Sequence, residues 1–407
     1  MDKNFDCIVI GGGAAGMFAA IHSAANGYKT ALLEPNEKVG RKLAITGKGR
    51  CNVTNNCDAD EVMKNLPRNP RFMYSALSML SPADVMAFFE GEGVALKTER
   101  GNRVFPVSDK AYDIVDALFF RMKREGVELI RARADDITAE DGFVTGVKTD
   151  KGYFSAAKVI LATGGMSYPV TGSTGDGYTM AKRLGHTVTP LKPSLVPIET
   201  EENCAEVMGL SLKNSTLTVR DNIKNKIIFK EMGEMLFTHF GISGPLVLSA
   251  SSRMEDITGG RYSVFIDLKP ALSEEQLDSR VQRDFLERKN MQLDNALRKL
   301  LPEKIILPLL NKCGISPEKQ CNSVTREERQ ALVRAVKAFS LTPTSYRPIS
   351  EAIITDGGVS VKEINPKTME SKLIGGLYFA GEIIDVTGFT GGFNLQIAFS
   401  TGYAAAQ

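Results

Sequence analysis

Gly11, Gly13 and Gly16 are spaced as G-x-G-x-x-G, and Glu34 follows roughly 20 residues later, a combination that takes a dinucleotide. Each position has its own task. Gly11 permits a tight turn, Gly13 lets the backbone approach a pyrophosphate, and Gly16 allows a helix to pack closely on a strand. The N–H groups at the helix start, around Ala14 and Ala15, then face the diphosphate with the favourable end of the helix dipole. Glu34, with Pro35 behind it, is placed to accept hydrogen bonds from an adenosine ribose. A charge-assisted bond of this kind is worth about 1.5–3 kcal/mol. The same carboxylate would repel a 2′-phosphate.

These residues need a strand before the turn and a helix after it. Phe5 to Ile10 reads as an apolar strand, Ala14 to about Asn26 as a helix, and Lys29 to Glu34 as the next strand. The far end of the chain repeats the pattern. Leu377 to Glu382 is a strand running into Gly381, and Asp385 follows. Gly391, Gly392, Phe393, Asn394 and Leu395 open a last helix, from Asn394 to Ala406. Its dipole would point at the N1/C2 carbonyl end of an isoalloxazine, where negative charge collects on reduction. Between the two ends, a strand from Val159 closes in Ala162, Thr163, Gly164 and Gly165, small residues suited to passing close to a flat ligand. Glu382 or Asp385 is placed to accept from ribityl hydroxyls. The expected cofactor is FAD, gripped by both ends of the chain; NAD(P)H as a transient electron donor belongs to a reductase reading of the reaction.

The chain resembles the FAD superfamily that includes succinate dehydrogenase and fumarate reductase flavoprotein subunits. The run from Val39 to Asn55, the run from Leu236 to Pro245 and Asp385-Val386-Thr387-Gly388 narrow the likeness to a bacterial flavoprotein family. That family includes aminoacetone oxidase and a 3-dehydro-bile-acid Δ4,6-reductase. The resemblance covers the whole chain and implies an α/β, Rossmann-like FAD-binding domain of the glutathione-reductase/succinate-dehydrogenase type, interrupted by an inserted domain. It also implies that Arg41 and Lys42 lie near the pyrophosphate, and that Gly49, Arg50, Cys51 and Asn52 line the flavin or ribityl side. Ala134 sits where related folds offer backbone to the adenine. Two cations, glycines and small polar groups do suit a loop wrapped around an anionic cofactor.

Along the chain, residues 1–190 alternate strands and helices, with helices expected at about Arg71–Leu80, Pro82–Glu92, Asp109–Glu125 and Tyr178–Leu184. Strands are expected at 126–130 and 143–149. Residues 191–342 change character and form the insertion, a β unit to about 270 and a charged helical unit from about 271. Ser273 and Thr325 carry capping-type starts to two of its helices. The cofactor-domain pattern resumes over 343–407.

Composition limits the partners. The chain of 407 residues has 50 basic and 48 acidic residues, a net charge of +2, and no tryptophan. Neither a basic field nor a base-stacking surface points to nucleic acid. No apolar run is long enough to span a membrane, and the start of the chain lacks the flanks of a signal peptide. The six cysteines show no zinc or secreted-framework spacing, so no metal and a reduced, cytoplasmic setting are expected. Cys51 and Cys57 are separated by five residues, and the chain lacks a second dinucleotide unit; a redox disulfide is not expected. The oligomeric state is open.

A flavin enzyme needs few catalytic side chains, because the cofactor carries the hydride chemistry. The substrate is expected between the cofactor domain and the insertion. His239, in a glycine turn, is the candidate general acid or base. Tyr168, soon after Gly164-Gly165, is a second candidate. His22, within the first helix, and His186, at the start of an expected strand, read as structural. The resemblance to the family of the bile-acid reductase implies, as the expected reaction, NAD(P)H-driven reduction of an activated C=C bond in a small or medium organic substrate. Oxidation of an amine by O2 is the alternative, and an RNA-modifying or non-catalytic flavoprotein a more distant one.

Overall fold

The computed structural model describes residues 3–407. It divides into two compact units, one formed by the chain up to Ser194 with Ile349–Gln407, the other by Leu195–Pro348.

The first unit is built on a five-stranded parallel sheet. Its strands run in the order Leu377–Phe379, Lys158–Leu161, Cys7–Ile10, Thr30–Leu33 and Glu128–Ile130. The three central strands are buried at every residue, which is why they read as continuous apolar runs. Val159 pairs with both Ile8 and Leu377, so the two ends of the chain meet in one sheet. The helices that follow the end strands, Ala14–Ala25 and Phe393–Ala406, pack against each other. Gly402 makes that approach possible: a Cβ there would stand 2.6 Å from the carbonyl of Ala15.

Smaller sheets decorate this core. Ala134–Glu140, Phe143–Thr149, Gly152–Ser155 and Lys3–Asn4 form a separate four-stranded sheet. Leu96–Glu99, Arg103–Pro106 and Thr54–Asn55 form a three-stranded one that the sequence pattern did not reveal.

Several elements differ from expectation. The helix expected over 71–80 begins as a 3-10 turn, Pro70–Met73, and becomes α-helical only over Tyr74–Met79. The strand expected to reach Glu382 ends at Phe379, because Gly381 (φ +78°) turns the chain into a short 3-10 segment, Gly381–Ile383. His186 does not begin a strand; only Val188 makes an isolated bridge, to Val359.

The second unit holds a seven-stranded antiparallel sheet. Its order is Phe339–Leu341, Tyr262–Asp267, Ser211–Asp221, Lys226–Thr238, Gly241–Ser243, Ile198–Thr200 and Pro343–Tyr346. The last two strands in sequence follow the helices, so β and helical stretches share one core rather than succeeding one another along the chain. Helices Glu274–Glu287 and Arg326–Lys337 both start with reciprocal capping boxes, at Ser273 and Thr325.

Candidate active site

The glycine turn is shaped by what cannot fit. A Cβ on Gly11 (φ +105°) would stand 2.6 Å from the carbonyl of Ala162, and one on Gly16 would overlap the carbonyl of Gly11. Gly13 is the opposite case: its missing side chain faces open space, with nothing within 4 Å among the described residues. No described side chain caps helix Ala14–Ala25, so its first N–H groups are left for a ligand.

Glu34 is buried and closes the turn from behind. Its Oε2 accepts from Gly12 N at 2.8 Å, and its Oε1 accepts from Asn36 N at 2.9 Å and Asn36 Nδ2 at 2.7 Å. A carboxylate has about four acceptor sites. Three are taken, which leaves Oε2 with one for a ribose hydroxyl. Asn36, which sequence reasoning passed over, also accepts from Arg41 Nη1 at 2.5 Å. Arg41 is thereby tied beside the turn, next to the exposed Pro35.

Lys42 directs its charge elsewhere. Its ammonium lies 2.7 Å from Glu382 Oε2 and 2.6 Å from Ser167 Oγ. Glu382 Oε1 accepts from Thr355 N at 2.8 Å and Ser167 Oγ at 3.1 Å. Gly165 fits against this cluster only because it lacks a Cβ, which would stand 2.8 Å from Glu382 Oε1. Lys42 was expected beside the pyrophosphate and Glu382 beside ribityl hydroxyls; here they neutralise each other.

Arg50 is likewise engaged by protein. Its guanidinium lies 4.1 Å from the centre of the Phe105 ring, donates through Nε to Asp109 Oδ1 at 2.7 Å and pairs with Glu99. It fastens the Gly47–Asn52 loop to the Leu96–Pro106 hairpin. Cys51, at φ +59°, is fully buried, and burial pushes its thiol up to about 12. Burial and nearby carboxylates push Cys57 up to about 11. The six cysteines are all free thiols.

The C-terminal loop is held from several sides. Asn55 Nδ2 donates to Gly391 O at 3.0 Å, and Asn394 Oδ1 accepts from Gly388 N at 2.9 Å. Gly392 (φ +100°) precedes the last helix, and a Cβ there would overlap the backbone of Thr54. Phe393 is buried and Leu395 half-buried. Inside the helix, buried Gln396 accepts from Thr54 Oγ1 at 2.6 Å and donates to Leu80 O at 3.0 Å. Asp385, with its side chain 6% exposed, pairs with Arg68. Gly381 touches the first helix: a Cβ there would stand 2.8 Å from Ala15 Cβ.

Two of the buried polar atoms without a hydrogen-bond partner lie on candidate cofactor segments. Thr163 Oγ1, at the end of the Lys158–Leu161 strand, and Asn52 Oδ1, on the basic loop, are shielded and unpaired among the described residues. Leaving such a group unpaired costs about 1–3 kcal/mol. The open space before Gly13 and the remaining acceptor on Glu34 fit the diphosphate and ribose of a dinucleotide, whereas Thr163 Oγ1 abuts Gly177, whose added Cβ would stand 2.0 Å from it. Ala134, the first residue of its strand, and Ala162 are buried small residues of the same unit.

The candidate catalytic residues lie on different units. His239 is exposed, in the two-residue turn joining Lys226–Thr238 to Gly241–Ser243, with its ring 5.0 Å from that of Phe240. Tyr168 is half-buried at φ +52°, its N–H donating to Ser350 O at 3.3 Å. His22 is packed among Phe18, Phe88 and Tyr403, and burial, helped by Arg121, pushes it down to about 4. Burial also lowers His186, whose Nε2 lies 2.8 Å from Ser371 Oγ.

Comparison with known proteins accords with this geometry. Residues 5–407 match the family described as HI0933-like protein Rossmann domain. The chain is 32% identical to the 3-dehydro-bile acid delta(4,6)-reductase of Clostridium scindens, over 98% of this chain and 97% of that protein. It is also 32% identical to the ribosomal RNA dihydrouridine synthase of Escherichia coli, over 100% of this chain and 98% of that protein. Among solved structures, the 3-ketosteroid delta1-dehydrogenase of Sterolibacterium denitrificans shares the fold, with a TM-score of 0.55 at 13% identity over 99% of each chain.

Proposed function

The chain belongs to the HI0933-like Rossmann family of FAD-dependent oxidoreductases, and we propose that it uses NAD(P)H to reduce a carbon–carbon double bond conjugated to a carbonyl. One observation carries this reading. Two relatives of near-equal similarity and full-length coverage bear names with different substrates but one reaction. A 3-oxo steroid with a Δ4 bond and the uracil ring both present a C=C conjugated to C=O, which accepts hydride at the far carbon and a proton at the near one.

Bound FAD supplies the hydride transfer. The chain's residues bind and orient it. The Gly11–Gly16 turn and the free acceptor of Glu34 would hold the diphosphate and ribose. The uncapped start of Phe393–Ala406 would offer positive potential to the flavin end where reduction builds negative charge. His239 is the first candidate for delivering the proton, and Tyr168 the second.

The proposed acceptor is a small or medium organic enone. Uridine within RNA is a second reading, favoured by the relative in Escherichia coli. Anaerobic mixing tests the reading: NADH or NADPH alone should bleach the flavin, and a 3-oxo-Δ4 steroid or a uridine-containing transcript should restore the yellow colour. Bleaching by amines and not by NAD(P)H would replace the proposal with an amine oxidase.

A further inference from the structure

Arg68 lies outside every motif discussed above, yet it is where four distant segments meet. Its Nη1 lies 3.2 Å from Asp356 Oδ2, its Nη2 lies 3.4 Å from Thr189 Oγ1, and its Nε pairs with Asp385. Its backbone forms an isolated antiparallel bridge with Thr387. Thr387 Oγ1 in turn donates to Asp356 Oδ1 at 3.0 Å. The neighbours reinforce the joint: Asn69 Nδ2 donates to Asp385 O at 2.6 Å, and Phe389 N donates to Asn65 O at 3.0 Å. The segment 65–69 therefore fixes the loop 385–389 at both its ends, and that loop leads directly into the start of Phe393–Ala406.

The charges do not cancel. One guanidinium serves two carboxylates, and the Asp385 side chain is only 6% exposed. Losing Arg68 leaves the shielded Asp385 carboxylate unpaired, while Asp356, its side chain 26% exposed, remains open to water. We propose that Arg68 is a positioning residue: it places the Asp385–Gly392 loop, and so the last helix start, against the flavin, and sets how much negative charge the flavin meets on reduction. This rests on the reading that this helix start faces the isoalloxazine.

The sign follows. Arg68→Ala turns a local sum of one negative charge into two, so the flavin becomes harder to reduce and its midpoint potential falls. Asp356→Asn removes one negative charge and raises the potential, and in the Arg68→Ala background it restores the potential toward the native value. Arg68→Lys keeps the charge but loses the planar fork; it should hold the potential near native while FAD dissociates faster. The experiment is a spectroscopic redox titration of the holoprotein and its variants, with FAD release followed by fluorescence. If Arg68→Ala does not fold, Asp356→Asn and Arg68→Lys carry the test. Native potential and native FAD release in all variants that fold would overturn the proposal. Wild-type protein without FAD would instead overturn the cofactor reading beneath it.

Discussion

Glu34→Ala separates the two tasks of that residue. The carboxylate accepts from Gly12 N and from two groups of Asn36, and one acceptor site remains for a ribose hydroxyl. A bond to a charged acceptor is worth about 1.5–3 kcal/mol, so losing the ribose contact alone should weaken FAD binding roughly 10- to 150-fold. The freed Gly12 N–H faces the turn, and loosening of the turn adds to that loss. Glu34→Gln is the sharper variant. If its carbonyl oxygen stays with Asn36, where two donors converge, its NH2 must face Gly12 N–H, donor against donor. It should therefore bind FAD more weakly than wild type despite its similar shape. The assay is fluorescence titration of apoprotein with FAD, alongside circular dichroism to show that the strand Thr30–Leu33 and its sheet are intact. Native affinity in both variants would refute the assignment of Glu34 to the ribose.

Gly13→Ala and Gly16→Ala should part company: the first Cβ enters open space and should cost FAD binding with little loss of apoprotein stability, whereas the second overlaps Gly11 O and should lower the yield of folded protein. Equal behaviour in a thermal melt and an FAD titration would contradict the difference. His22, held down to about 4 by burial, contributes stability that is fully present above its unfolded value near 6.5 and is lost as pH falls toward 4. The loss is on the order of 3 kcal/mol, and His22→Phe should flatten this part of the pH dependence in urea unfolding. His239→Ala should slow turnover with flavin retained, and Tyr168→Phe should do so if Tyr168 delivers the proton; a native rate in steady-state kinetics would return either residue to a packing role.

The fold was legible where physics is local. Continuous apolar runs marked the central strands, and the glycine spacing marked the turn, because each depends on neighbours in sequence. Capping boxes at Ser273 and Thr325 were readable for the same reason. The polar joints were not. Arg68 meets Asp356 and Asp385 across some of the longest separations in the chain, and nothing near Arg68 distinguishes it from any surface arginine. Ser167 and Thr355 matter because they converge on Glu382, and Gln396 because it is buried beside Thr54 and Leu80. Arg50 shows the converse: the resemblance suggested a cofactor ligand, yet the Phe105 ring and Glu99 on a hairpin of unforeseen pairing, with Asp109 just beyond it, claim its guanidinium.

Hydrogen exchange on the apoprotein with and without FAD bears most directly on the shared grip of the two ends. The backbone amides of 11–17 and those of 388–396 should gain protection together, at one FAD per chain. Protection at the first segment with the second unchanged, or protein that takes up no FAD, would contradict it.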